Sequence, residues 1–81
     1  MNKQSKLQKI YRDLQSFKKE LPLWERLKAL KNYYASVVCH NLLLGRQKEA
    51  HEYVKYFDYV DKLYLKELIR ETVKLIPGGE R

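Results

Sequence analysis

The chain contains 81 residues, of which 44% are apolar and 33% charged, and it carries a formal net charge of +7. This length allows one domain, and the composition favours a packed globule over a disordered chain because enough apolar surface is present to build a small core. The single cysteine excludes an internal disulfide, and no apolar run reaches the roughly 18 residues of a membrane span. We therefore expect a soluble intracellular protein without membrane insertion.

The first segment predicts an amphipathic helix over residues 3–20. Its apolar residues recur at intervals of three or four, which is the spacing of one helix face: Leu7, Ile10, Leu14, Phe17 and Leu21. Lys9, Arg12 and Lys19 are predicted on the opposite, solvated face. Leu21 precedes Pro22, so we expect the chain to turn there.

The second segment predicts a helix over residues 22–44, capped by Gly45. Its apolar stripe keeps the same rhythm: Leu23, Leu27, Leu30, Tyr34, Val37, Asn41 and Leu44. The back of its second half carries small or apolar residues, which indicates either a central helix buried on both sides or a contact with another chain. The predicted interface residues are Ala35, Cys39, Asn41 and Leu43. Asn41 either fixes register or oligomeric state, or is a satisfied polar residue near the helix end.

The third segment, residues 47–76, contains no helix breaker and predicts one helix longer than the second, so that its end overhangs the hairpin and contacts another surface. A short tail, residues 77–81, follows. The chain therefore predicts an all-α, antiparallel three-helix bundle as one domain over residues 1–76. The same pattern is satisfied by a bundle closed within one chain and by a bundle completed by a partner chain.

No motif predicts catalysis or metal binding. The run from His51 to Lys55 begins like the zinc-protease motif HExxH, but Lys55 stands where the second histidine ligand is required. Cys39 lacks the base and orienting group that a nucleophile needs, and is interpreted as a small packing residue. We therefore expect a non-enzymatic protein without a cofactor.

The positive charge is concentrated in the first part of the chain. Residues 1–31 contain nine basic and three acidic side chains, whereas residues 32–81 contain eight and seven. Such a one-sided basic surface indicates an acidic partner, which is a protein, a nucleic acid or an anionic membrane surface. A first helix lying on a membrane is disfavoured because the bundle needs its apolar stripe. Three tyrosines, Tyr33, Tyr56 and Tyr59, fall off the main apolar stripes, where they would line a wet protein interface or stack on bases.

The run Leu7-Gln8-Lys9-Ile10-Tyr11-Arg12-Asp13-Leu14, followed by Lys18, Lys19, Leu21 and Pro22, resembles the opening of the LYR-motif family, in particular its succinate dehydrogenase assembly factor-like branch. The triplet Ile10-Tyr11-Arg12 corresponds to the Leu-Tyr-Arg of that family, while Gln15 and Ser16 replace its usual Leu-Arg. The family consists of short, basic three-helix proteins of the mitochondrial matrix, which act as assembly factors or accessory subunits and commonly bind acyl carrier protein.

The resemblance implies a helical adaptor located in the mitochondrial matrix. Its basic residues would face the acidic helix of acyl carrier protein, and the bundle interior would receive the acyl chain. The predicted partner-binding residues are Lys9, Tyr11, Arg12, Lys19, Lys28 and Lys31. The alternative is a small basic nucleic-acid-binding protein, a homodimeric regulator or genome-coating protein of the cytoplasm, which would use the same cations on phosphates.

Overall fold

The computed structural model describes residues 3–74, with side chains from Lys6 onward. This part of the chain forms three helices, α1 (Lys3–Gln15), α2 (Leu23–Leu43) and α3 (Gln47–Lys74), and no strand. The predicted all-α, three-helix architecture is confirmed. Helices α2 and α3 pack closely as an antiparallel hairpin, and α1 lies on this hairpin through a much smaller contact. The predicted last residues of the third helix, 75–76, and the tail, 77–81, lie outside the described residues.

Helix α1 ends at Gln15, whereas the sequence predicted an end at residue 20. Ser16 and the residue after it donate their backbone N–H groups to carbonyls three residues earlier, at 3.1 and 3.3 Å, which tightens the last turn. The Ser16 hydroxyl also donates to the Asp13 carbonyl oxygen at 2.6 Å and so competes with continuation of the helix. The early end leaves residues 16–22 for the reversal into α2, a typical length for a connection between packed helices.

The turn between α2 and α3 is built around Gly45. This glycine has a φ of 76°, in the left-handed region that residues with a Cβ rarely adopt. The N–H of Arg46 donates to the Asn41 carbonyl at 2.8 Å, and the N–H of Gly45 donates to the Leu42 carbonyl at 3.1 Å. These two hydrogen bonds form the Schellman motif that ends many helices, so the predicted capping role of Gly45 is confirmed.

The core lies mainly between α2 and α3, with one contribution from α1. Its buried members are Ile10, Leu27, Leu30, Tyr34, Tyr56 and Val60. The predicted stripes of the first two helices are therefore correct through the middle of α1 and α2. They are wrong at Leu7, Leu23 and Leu44, which are exposed. These residues lie near the start of α1, at the start of α2 and just beyond its end, where the other helices cover them less. Tyr56 was predicted off the stripes and is buried.

Helix α3 is one continuous helix over its described range and is longer than α2. Its 28 residues extend about 42 Å, against about 31 Å for the 21 residues of α2. Since the two helices are joined at the Gly45 turn, the excess length of α3 projects beyond the start of α2. Over the described residues, no helix is both long enough and apolar enough to cross a bilayer.

Candidate partner-binding groove

Helix α1 is attached to the hairpin by a polar cluster, which we call the Asp13 clasp. The Tyr34 hydroxyl donates to Asp13 Oδ2 at 2.8 Å, and Lys9 Nζ lies 3.3 Å from the same oxygen. The Lys9 ammonium group also lies 5.4 and 5.9 Å from the ring centroids of Tyr53 and Tyr56, within the range of cation–π attraction. The clasp therefore joins a charged pair of α1 to tyrosines of both other helices.

Burial and the Asp13 carboxylate both raise the pKa of Tyr34, so its phenol keeps the proton that it donates. Partial burial lowers the pKa of Lys9, but the neighbouring Tyr53 and Asp13 side chains raise it by more, and the net pKa lies above the ordinary value. The clasp thus holds a neutral phenol, an ammonium group and a carboxylate. We therefore expect neither Tyr34 nor Lys9 to change charge near neutral pH.

The clasp also sets the rotation of α1 about its own axis. Because Lys9 and Asp13 face the hairpin together with Ile10, the predicted apolar stripe of α1 is only partly covered. Ile10 is 4% exposed, but Leu7, one turn earlier on the same stripe, is 42% exposed. The uncovered part of the stripe opens onto a groove.

This groove runs between α1, the start of α2 and the second half of α3, and has a volume of about 960 Å³. Apolar residues from all three helices line it, among them Leu7, Leu14, Leu23, Leu27 and Leu63. Its size lies at the upper end of the range for pockets that bind small molecules, and it is open to solvent. It can accept an apolar chain or one face of an amphipathic helix.

The rim of the groove is positively charged. Arg12, Lys66 and Arg70 lie along it, with Glu67 as the one carboxylate. The Arg70 guanidinium approaches Glu67 only to 4.0 Å, and Arg12 forms no ion pair with any described side chain. The groove therefore combines an apolar floor with a net positive edge.

The predicted basic surface is divided among different environments. Arg12 and Tyr11 line the groove. Lys9 is part of the clasp, so its predicted place on the solvated face opposite the stripe is wrong. Lys19 and Lys28 are exposed and lie outside the groove.

Lys31 is bound within the hairpin. Its Nζ lies 3.3 Å from Asp61 Oδ1 across α2 and α3, and 5.0 and 5.6 Å from the ring centroids of Tyr64 and Phe57. Because this cation is already paired with a carboxylate and packed on aromatic rings, it is poorly placed to bind a partner.

The predicted interface residues of α2 divide between two faces: Ala35, Cys39 and Leu43 share one face at intervals of four residues, and Asn41 lies on another. Cys39 and Leu43 are exposed, Ala35 is partly exposed and Asn41 is buried. The expectation that this half of α2 is buried on both sides within the chain is wrong, since α3 covers only one side. The Asn41 amide donates to the Val37 carbonyl at 2.9 Å, as expected for a satisfied polar residue near a helix end.

Helix α3 contributes five groove residues, of which only Tyr59 was predicted to line an interface; Leu63, Lys66, Glu67 and Arg70 were not predicted as site residues. In the sequence, Lys66 and Arg70 alternate with carboxylates at helical spacing, which is typical of a solvated salt-bridge face. The available signal was the excess length of the third helix, which indicates a surface that α2 cannot cover. Which side chains line that surface depends on the position of α1.

Over residues 6–74, no three histidine, cysteine, aspartate or glutamate side chains converge as a possible metal site. Tyr33 and Tyr59 are exposed, and Tyr59 lines the groove. The chain matches no protein-family model, no curated protein and no solved structure. The resemblance to the LYR-motif family therefore stays a prediction based on the sequence.

Proposed function

We propose that this chain is a non-enzymatic helical adaptor, an assembly factor or accessory subunit that binds an acidic amphipathic segment of a partner protein in the groove. The observation that carries the proposal is the pairing of an apolar floor with Arg12, Lys66 and Arg70 on the rim. An amphipathic helix would bury its apolar face in the groove and place carboxylates against these cations.

Acyl carrier protein is the partner implied by the resemblance to the LYR-motif family. The triplet that carries the resemblance, Ile10-Tyr11-Arg12, supplies three consecutive residues to the groove wall. In this proposal the acidic helix of the carrier contacts the rim, and the attached acyl chain enters the apolar groove. A mitochondrial matrix location follows from the same resemblance and is proposed with it.

A matched set of charge reversals tests the groove. Arg12→Glu and Lys66→Glu change the rim, whereas Lys19→Glu and Lys28→Glu make the same change in net charge at exposed sites outside it. Titration calorimetry with acylated acyl carrier protein should show affinity falling by roughly tenfold or more for each rim variant and by less than about threefold for each control. Equal losses in all four variants would indicate attraction by net charge alone and would contradict the groove.

Nucleic-acid binding is the alternative, and the charge distribution favours it less. Two of the cations predicted to contact phosphates, Lys9 and Lys31, are paired with Asp13 and Asp61. Titration with duplex and single-stranded DNA over a range of salt concentrations separates the two functions. Tight binding with a steep salt dependence, lost equally in the Lys19→Glu and Arg12→Glu variants, would support nucleic-acid binding and refute the adaptor proposal.

A further inference from the structure

The closed end of the hairpin carries three consecutive exposed leucines, which we call the leucine tip. Leu42, Leu43 and Leu44 are 55%, 86% and 52% exposed. Among the described side chains, no other three consecutive large apolar residues are all exposed. Exposed apolar clusters of this kind mark a surface that contacts another protein or a membrane.

The geometry of the leucine tip is poorly suited to a protein partner. Successive residues of a helix differ in direction by about 100°, so the three side chains point to different sides of the tip and do not form the stripe that another helix would cover. The described part of the molecule is 52 Å long and only 22–24 Å across, and the tip lies at the closed end of the hairpin. A stable protein interface needs about 800 Å² from each partner, which such an end does not offer. A lipid bilayer is fluid, so it can surround the three leucine side chains without offering a surface of complementary shape.

The charges around the tip are those that anionic lipids attract. Arg46 and Lys48 are exposed immediately after the leucines, and His40 is exposed just before them. Glu49 is the nearest carboxylate in the sequence, so a net positive charge remains beside the apolar residues. Basic side chains next to an apolar insertion strengthen attachment to a negatively charged leaflet.

We propose that the leucine tip inserts into the interfacial layer of an anionic bilayer, with Arg46 and Lys48 against the headgroup phosphates. The groove lies at the other end of the hairpin and stays accessible, so the membrane contact and the proposed adaptor function are independent. The inference revises the expectation of no membrane insertion, which considered only spanning segments and the first helix. A turn can insert into the interfacial layer of a bilayer without a spanning segment and without the first helix.

Sedimentation with vesicles tests the inference on the full chain. Vesicles of phosphatidylcholine mixed with phosphatidylglycerol should bind the wild type, and the Leu42→Ser/Leu43→Ser double variant should bind roughly tenfold more weakly. The matched control is Leu65→Ser/Ile69→Ser, which removes two exposed apolar side chains from α3 and should bind like the wild type. Arg46→Gln/Lys48→Gln should weaken binding to the anionic vesicles and reduce its salt dependence.

Tryptophan quenching by lipids brominated on their acyl chains reports which end enters the bilayer. The natural Trp24 lies 19 residues from Leu43 along α2, about 28 Å away, and should stay unquenched in the wild type. A Leu43→Trp variant should be quenched. Quenching of Trp24, equal losses in the tip and control variants, or absence of vesicle binding would overturn the proposal. So would a dimer of the wild type, seen by light scattering, that dissociates in the tip variant.

Discussion

The hydroxyl of Tyr34 offers the sharpest test of how α1 is held. Tyr34→Phe removes the hydrogen bond to Asp13 and keeps the ring, which is fully buried against the rings of Tyr53 and Tyr56. Hydrogen bonds to charged groups contribute about 1.5–3 kcal/mol. The Asp13 side chain is 24% exposed and keeps its ion pair with Lys9, so water can replace the lost donor and the lower part of this range applies.

We therefore expect Tyr34→Phe to lower the free energy of unfolding by about 1.5–2 kcal/mol, and the Tm by about 6–16 °C for a chain of this size. Urea unfolding followed by circular dichroism measures the first quantity. Tyr33→Phe is the matched control, because Tyr33 is 51% exposed and its hydroxyl bonds to no described residue; its effect should stay within about 0.5 kcal/mol.

A double-mutant cycle with Asp13→Ala isolates the interaction itself. The coupling energy between the two sites should be about 1 kcal/mol or more, since each single variant removes one partner of the same hydrogen bond. If Tyr34→Phe were as stable as the wild type, or if the two substitutions were additive, the clasp would not be what holds α1 on the hairpin.

The remaining predictions concern the turn, the core and alkaline pH. Gly45→Ala should lower the free energy of unfolding in urea by about 1–2 kcal/mol, because a residue with a Cβ is strained at the positive φ of this position. An added Cβ meets no atom within 4 Å, so the expected loss comes from the backbone alone. Equal stability would contradict the left-handed conformation of Gly45. Leu30→Ala, at a fully buried site, should cost about 2–5 kcal/mol, and Leu43→Ala, at an 86% exposed site, should change stability by less than about 0.5 kcal/mol. The pKa values of Tyr34 and Lys9 are raised by folding, so both groups stabilise the fold below pH 10 and this contribution is lost as the pH rises above it. Stability should therefore fall above pH 10, and Tyr34→Phe should reduce that slope by up to about 1.4 kcal/mol per pH unit; an unchanged slope in the variant would refute the assignment.

The helices and the centre of the core could be predicted from the sequence because they depend on local periodicity. Leu27, Leu30 and Tyr34 are buried as their spacing indicates, and Gly45 ends α2 as a left-handed glycine should. The end of α1 could not be predicted in this way. It depends on the bond from Ser16 to the backbone and on the length of chain that the reversal into α2 requires.

The groove could be predicted only in part. Arg12 and Tyr11 were selected from the sequence and line it. A helical wheel places Lys9 away from the apolar stripe, but the tyrosines of α2 and α3 offer a hydroxyl donor and aromatic faces that accommodate the Lys9–Asp13 pair against the hairpin. The resulting rotation of α1 decides which residues line the groove, and it depends on contacts between helices that are distant in the sequence.

The small contact between α1 and the hairpin has a consequence for the order in which the chain opens. Helices α2 and α3 share most of the core, whereas α1 contributes one fully packed side chain, Ile10, and the clasp. Amide protons of α1 should therefore exchange with solvent through a partial unfolding event of lower free energy than the one that exposes the hairpin. Each such event removes one wall of the groove and leaves the other two intact. The fraction of molecules with a complete groove is therefore set by the local stability of a single helix, α1.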